Sequence, residues 1–101
     1  METPLALTSK QIRQLRAAAH PLKPIVLVGD KGVSAEVVQA TREALGAHEL
    51  LKVRVTGADR DEVAEAADSL AVATDAAVVQ IIGKTIILFL QKEKDSEFKL
   101  V

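Results

Sequence analysis

The sequence predicts an α/β domain whose elements run α-β-α-β-α-β-β around a mixed four-stranded sheet. Three observations carry this. Apolar residues recur at helical spacing in three stretches, separated by short β-rich runs. The first three β-rich runs are linked through helices, and such crossovers make consecutive strands parallel. The last two runs are joined by Gly83-Lys84 alone, a connection that suits a type II′ hairpin and adds one antiparallel strand.

The elements follow in order. Thr8 or Ser9 is placed to cap a first helix reaching about Ala19, with Ile12, Leu15 and Ala19 on one face. Lys10, Arg13 and Arg16, three residues apart, wind along another face of that helix. His20-Pro21-Leu22-Lys23-Pro24 ends it, since proline cannot continue a helix and biases its predecessor to extended backbone. The run Ile25–Val28 has no polar alternation and is expected to be covered on both faces or to lie centrally. A second helix is expected from Ser34 to about Leu45, with Val37, Val38, Thr41 and Leu45 inward and Gly46 as its stop. Leu50–Thr56 alternates cleanly, Leu51, Val53 and Val55 against Lys52, Arg54 and Thr56. Asp59 and Glu62 have capping-box spacing and open an alanine-rich helix to about Ala73, with Val63, Ala67 and Leu70 inward. Ala76–Ile82 and Thr85–Leu90 form the hairpin, and 93–101 reads as a frayed tail. No linker or repeat interrupts the chain, so residues 1–101 are expected to form one domain around one shared core, with its body at about 7–92.

Composition narrows the functional classes. There is no cysteine, which removes disulfides and thiolate chemistry, and the two histidines lie far apart, against a zinc site. No apolar run approaches a membrane span, and the first twenty residues lack a secretory pattern, so a cytoplasmic protein is expected. Phe89 and Phe98 are the only aromatic residues, too few for base stacking across a sheet. The net charge is −1, but residues 1–32 carry +3 and the remainder −4. Such asymmetry hints at a surface that faces a polyanion.

Gly29-Asp30-Lys31-Gly32 concentrates the chemistry. Two glycines flanking two residues let the backbone approach another molecule closely, and the helix beginning near Ser34 aims its first N–H groups and dipole at the same place. Those are the parts of a phosphate cradle, although the same pattern also serves ordinary strand-to-helix turns. Other motifs fail. Gly83-Lys84-Thr85 resembles the end of a nucleotide-binding P-loop, but position 78 is valine where that motif needs glycine, and a strand follows. Ser34 lacks a nucleophile elbow and is better explained as a cap. His20 suits a helix C-terminus and is also a candidate phosphate contact. Asp59, Asp61 and Glu62 suit a helix start rather than an acid–base pair. No catalytic constellation is present, and a non-enzyme is expected.

The run from Leu7 through His20-Pro21-Leu22-Lys23-Pro24 to Gly29, continued by Gly29–Gly32, His48–Val55 and Val79–Leu88, resembles the CRM (chloroplast RNA splicing and ribosome maturation) domain. It is most similar to the free-standing bacterial YhbY-like proteins, and the likeness covers about residues 7–92. The H-P-L-K-P-x-V-x-x-G segment and the Q-x-I-G-K-T hairpin are its specific parts. The resemblance implies a two-layer α/β fold similar to the C-terminal domain of translation initiation factor 3, with the last strand of its mixed sheet antiparallel. It further implies RNA binding, with the GxxG loop as an RNA contact comparable to that of KH domains. The bacterial form is linked to assembly of the large ribosomal subunit; plant relatives act in intron splicing.

Asp30 departs from an ideal cradle, because it sets an anion inside the loop. The compensating cations are Lys31, the Lys10/Arg13/Arg16 row, Lys23, Lys52, Arg54 and Lys84. The expected site is therefore Gly29, Asp30, Lys31, Gly32 and Ser34 together with these cations and His20. The expected partner is RNA, ribosomal RNA or the pre-ribosomal large subunit. A monomer with no cofactor, metal, small-molecule substrate or membrane attachment is the accompanying expectation. Two alternatives differ in class: a module that docks on a ribosomal protein or assembly factor through the acidic half, and a small-molecule regulatory domain.

Overall fold

The computed structural model describes residues 7–100. Glu2, counted in the charge of the N-terminal third, and Val101, in the expected tail, lie outside the described residues. The elements are α1 (Ser9–Ala19), β1 (Val26–Val28), α2 (Ala35–His48), β2 (Leu50–Val55), α3 (Arg60–Thr74), β3 (Ala77–Ile82) and β4 (Thr85–Phe89). Local chemistry explains the helix starts. Thr8 and Gln11 form a reciprocal capping box on α1, Asp59 and Glu62 form one on α3, and the Ser34 hydroxyl accepts from Val37 N–H on α2. At the hairpin Gly83 has φ +58° while Lys84 does not have positive φ, the type II′ pattern. The helix α2 runs past Gly46, which is not its stop. It ends at Glu49, a non-glycine residue at φ +62°, whose N–H reaches Leu45 O at 2.9 Å.

The sheet order is β1-β2-β4-β3, with β1 parallel to β2 and β4 antiparallel to both neighbours. The antiparallel strand thus fills the gap between β2 and β3, which α3 connects. Period-2 alternation divides the apolar residues between two clusters rather than one shared core. Val26, Val28, Leu51, Val53, Val55, Ile86 and Leu88 meet α2 and α3 on one face. On the other face Leu50, Val79, Ile87 and Phe89 meet Leu15 and Ala19 of α1. The two-layer packing of α2 and α3 on the sheet is joined by α1 across part of the opposite face.

Two expectations change. The apolar run at β1 is neither central nor doubly covered: β1 is the edge strand, and Ile25 and Leu27 are 54% and 61% exposed. Val26 and Val28 enter the core, while α1 does not extend over their outward neighbours. The tail also departs from expectation. Phe98 meets Phe89 edge to face at 5.4 Å, and Gln14 Nε2 donates to Lys99 O at 2.8 Å. Its irregular backbone hid this, because the partners that hold it are distant in sequence.

Candidate nucleic-acid interface

The cations of α1 converge where that helix leaves part of the sheet uncovered. Arg13, Arg16, Ala17 and His20 form one wall of a groove of about 600 Å³, floored by Lys52, Gln80, Ile82 and Ile87. Strand register explains the floor. Ile25, Lys52, Ile87 and Gln80 form one row across the four strands, and Leu27, Arg54, Thr85 and Ile82 form the next. Arg13 and Arg16 are exposed, and their guanidinium groups make no hydrogen bond or ion pair with any described residue. Lys52 is different: its Nζ donates to His20 O at 3.3 Å and to Leu22 O at 3.0 Å, tying β2 to the end of α1. Lys10 and Lys23 are exposed beside this region without lining the groove.

The GxxG loop lies at the end of β1, and the structure does not merge it with that groove. Gly32 N–H closes the turn on Gly29 O at 2.9 Å, with Gly32 at φ +71°, which favours glycine. The amides of Gly29, Asp30 and Lys31 make no hydrogen bond among the described residues, and Lys31 is exposed. Ser34 spends its hydroxyl acceptor on the α2 cap, at 3.2 Å from Val37 N. The loop borders a separate cleft with Thr56, Gly57, Glu62, Glu65 and Ser69. Asp30 faces across it; its Oδ1 would lie 3.1 Å from a Cβ placed on Gly57. This cleft is therefore acidic. Lys84 lines a third depression with Asp59 and Arg60.

Charge asymmetry along the chain becomes asymmetry across the sheet. The α1 face carries Lys10, Arg13 and Arg16, whereas α3 on the other face exposes Asp61, Glu62, Glu65 and Asp68. Reading the sequence for charge alone missed Gln80, Ile82 and Leu27. For Gln80 and Ile82 a bulge between Val78 and Gln80 decides the face, whereas Leu27 is open because β1 is an edge strand that α1 does not cover. Among the described residues no group of three or more His, Asp or Glu could hold a metal ion, and no helix is long and apolar enough to cross a membrane.

Comparison with known proteins fits this geometry. The chain is 37% identical over 94 residues to the "Probable RNA-binding protein YqeI" of Bacillus subtilis, spanning 93% of this chain and 98% of that protein. It is 38% identical over 88 residues to a Haemophilus influenzae protein named RNA-binding protein, spanning 87% and 89%. The solution structure of SAV1595 from Staphylococcus aureus superposes with a TM-score of 0.84 at 33% identity, over 95% of this chain and all of that one. A family model for the CRS1 / YhbY (CRM) domain matches residues 7–89. With the match running from the cap of α1 to the end of β4, the chain belongs to the CRS1/YhbY (CRM) domain family.

Proposed function

We propose that this chain is a non-enzymatic RNA-binding protein whose target is ribosomal RNA of the assembling large ribosomal subunit. The observation that carries the RNA reading is the convergence of Arg13, Arg16 and His20 on one groove, with both guanidinium groups free of described partners. Unpaired arginines on an open surface suit phosphate oxygens, which accept from the guanidinium fork. Grouping Lys10, Arg13 and Arg16 on the α1 face lets a chain of net charge −1 present a local positive field there. The GxxG loop supplies a second contact, through three free amides, the N-terminus of α2 and Lys31. Relatives named as RNA-binding proteins support the same partner class, and the family resemblance supports the ribosomal target.

The test is sedimentation of cell lysate through a sucrose gradient, with and without nuclease. Migration with large-subunit precursors that is lost on nuclease treatment supports the proposal. Migration that survives the nuclease favours docking on a protein through the acidic α3 face. Absence from every ribosomal fraction rejects the ribosomal target.

A further inference from the structure

The uncovered half of the sheet has a composition that phosphate binding alone does not require. Leu27 and Ile82 are 61% and 55% exposed and lie in one cross-strand row with Arg54 and Thr85. Ile25, 54% exposed, begins the neighbouring row. Exposed aliphatic side chains gathered beside arginines lose free energy to water unless something covers them. A purely electrostatic footprint would favour polar residues at these positions.

Gln80 supplies an independent observation. Its Oε1 is buried and has no hydrogen-bond partner, although the residue as a whole is half-buried and lines the groove. A buried acceptor without a donor costs stability, and an N–H from a bound partner would recover it. The bulge places Gln80 there. Val78 packs on the α2/α3 side and Val79 on the α1 side, so unbroken alternation would return Gln80 to the α2/α3 core. The extra residue instead brings Gln80 opposite Ile87, on the groove side. From there a rotation of the side chain would carry its carboxamide to the groove surface.

We propose that this groove and the exposed row Leu27–Arg54–Thr85–Ile82 that runs from it across the sheet seat unpaired nucleotides of a single-stranded RNA segment, with bases over Ile82 and Leu27 and a base-edge N–H donating to Gln80 Oε1. The guanidinium planes of Arg13 and Arg16 cover the bases from the α1 wall and hold adjacent phosphates. Arginine planes stack on splayed bases, which compensates for the absence of an aromatic residue in the groove lining, Phe89 and Phe98 being packed in the α1 cluster. Duplex RNA is excluded by shape. The floor is the sheet beside the α1 wall, which an unpaired base can lie against, whereas an A-form duplex keeps its bases stacked and their Watson–Crick edges paired. This inference rests on the RNA-binding reading and specifies the form of RNA that the α1 face takes.

The experiment is a fluorescence-anisotropy titration of the full chain with a labelled single-stranded RNA oligomer of mixed sequence, competed by the unlabelled strand or its duplex. Single strand should compete at least about tenfold better than duplex at equal phosphate concentration, because only unpaired bases reach the floor. Gln80→Met should weaken single-strand binding several-fold, without lowering the melting temperature and without changing the salt slope, since no cation is removed. Leu27→Ser, at an exposed position, should weaken it with an equally unchanged slope. Equal competition by duplex, or parental affinity in both variants, overturns the proposal while leaving RNA binding intact. Failure of the parent chain to bind either RNA overturns this proposal and the RNA reading together.

Discussion

The Ser96 hydroxyl donates to Glu49 Oε2 at 2.6 Å, bridging the end of α2 to the C-terminal segment. The same carboxylate accepts from Lys92 N–H at 2.9 Å and from Glu97 N–H at 2.8 Å, while Glu49 O accepts from Leu90 N–H at 2.8 Å. Glu49 is almost wholly buried. One side chain therefore fastens the segment that brings Phe98 onto Phe89, beneath α1.

This clasp is pH-dependent. Burial pushes the Glu49 carboxyl up. The Ser96 hydroxyl, the Lys92 and Glu97 amides and the Lys92 charge together outweigh it and hold the group below its ordinary value of 4.5. A depressed folded-state pKa means that the stabilisation is fully present above about pH 4.5 and is lost as pH falls through the folded value. Glu49→Gln should cost about 1–3 kcal/mol near neutral pH, because it sets an amide donor against the existing donors. Urea denaturation of the variant should also show a shallower loss of stability below pH 4.5. An identical acid profile in parent and variant would exclude Glu49 as the source.

The first helix separates scaffold from contact. Leu15 is fully buried, and Leu15→Ala should cost about 2–5 kcal/mol by thermal or chemical denaturation. Replacing Lys10, Arg13 and Arg16 together by Gln should leave stability within about 0.5 kcal/mol of the parent, as is usual for exposed positions. RNA binding should weaken and its salt dependence flatten, because fewer counterions are released. An unchanged salt slope would make this row only a solvated helix face.

Lys52 belongs to the scaffold as well as to the groove. It donates to two carbonyls at the end of α1, so Lys52→Met should cost about 1–2 kcal/mol and raise amide exchange in the last turn of that helix. A Met variant as stable as the parent but weaker on RNA would instead mark Lys52 as a direct phosphate contact.

At the GxxG loop, Asp30 makes no hydrogen bond with a described residue, and no Asx turn fixes it. Its carboxylate faces Gly57 across the acidic cleft and adds a negative charge beside the loop amides that an incoming phosphate would use. Asp30→Asn should tighten RNA binding, more at low salt than at high, and Lys31→Ala should weaken it. Titration at two ionic strengths checks both. If neither substitution changes affinity at either salt, the loop is not an RNA contact.

Residues close in sequence determined much of this molecule. The capping pairs Thr8/Gln11 and Asp59/Glu62, the glycine of the 83–84 hairpin and the inward faces of Leu15, Thr41 and Leu70 follow from spacings within one or two helical turns. Element order and the crossover rule then made β1, β2 and β3 parallel. The family motifs were equally local, and so was the GxxG turn.

Tertiary structure decided where those pieces meet. Glu49 ends α2 at a positive φ because its carboxylate and carbonyl are both engaged by residues 90–97, a compensation that Gly46 as a local stop signal could not reveal. The Ile25–Val28 run could indicate a buried central strand or an edge with an open apolar face, because both satisfy the same composition. The cations singled out along the chain divide among a groove, a loop and a hairpin depression. Gln80 faces the groove through a one-residue bulge, and a register shift leaves no mark in hydrophobic periodicity. Helices and turns are governed by neighbours a few bonds away, whereas a binding surface is assembled by strand register and packing between residues far apart in the chain.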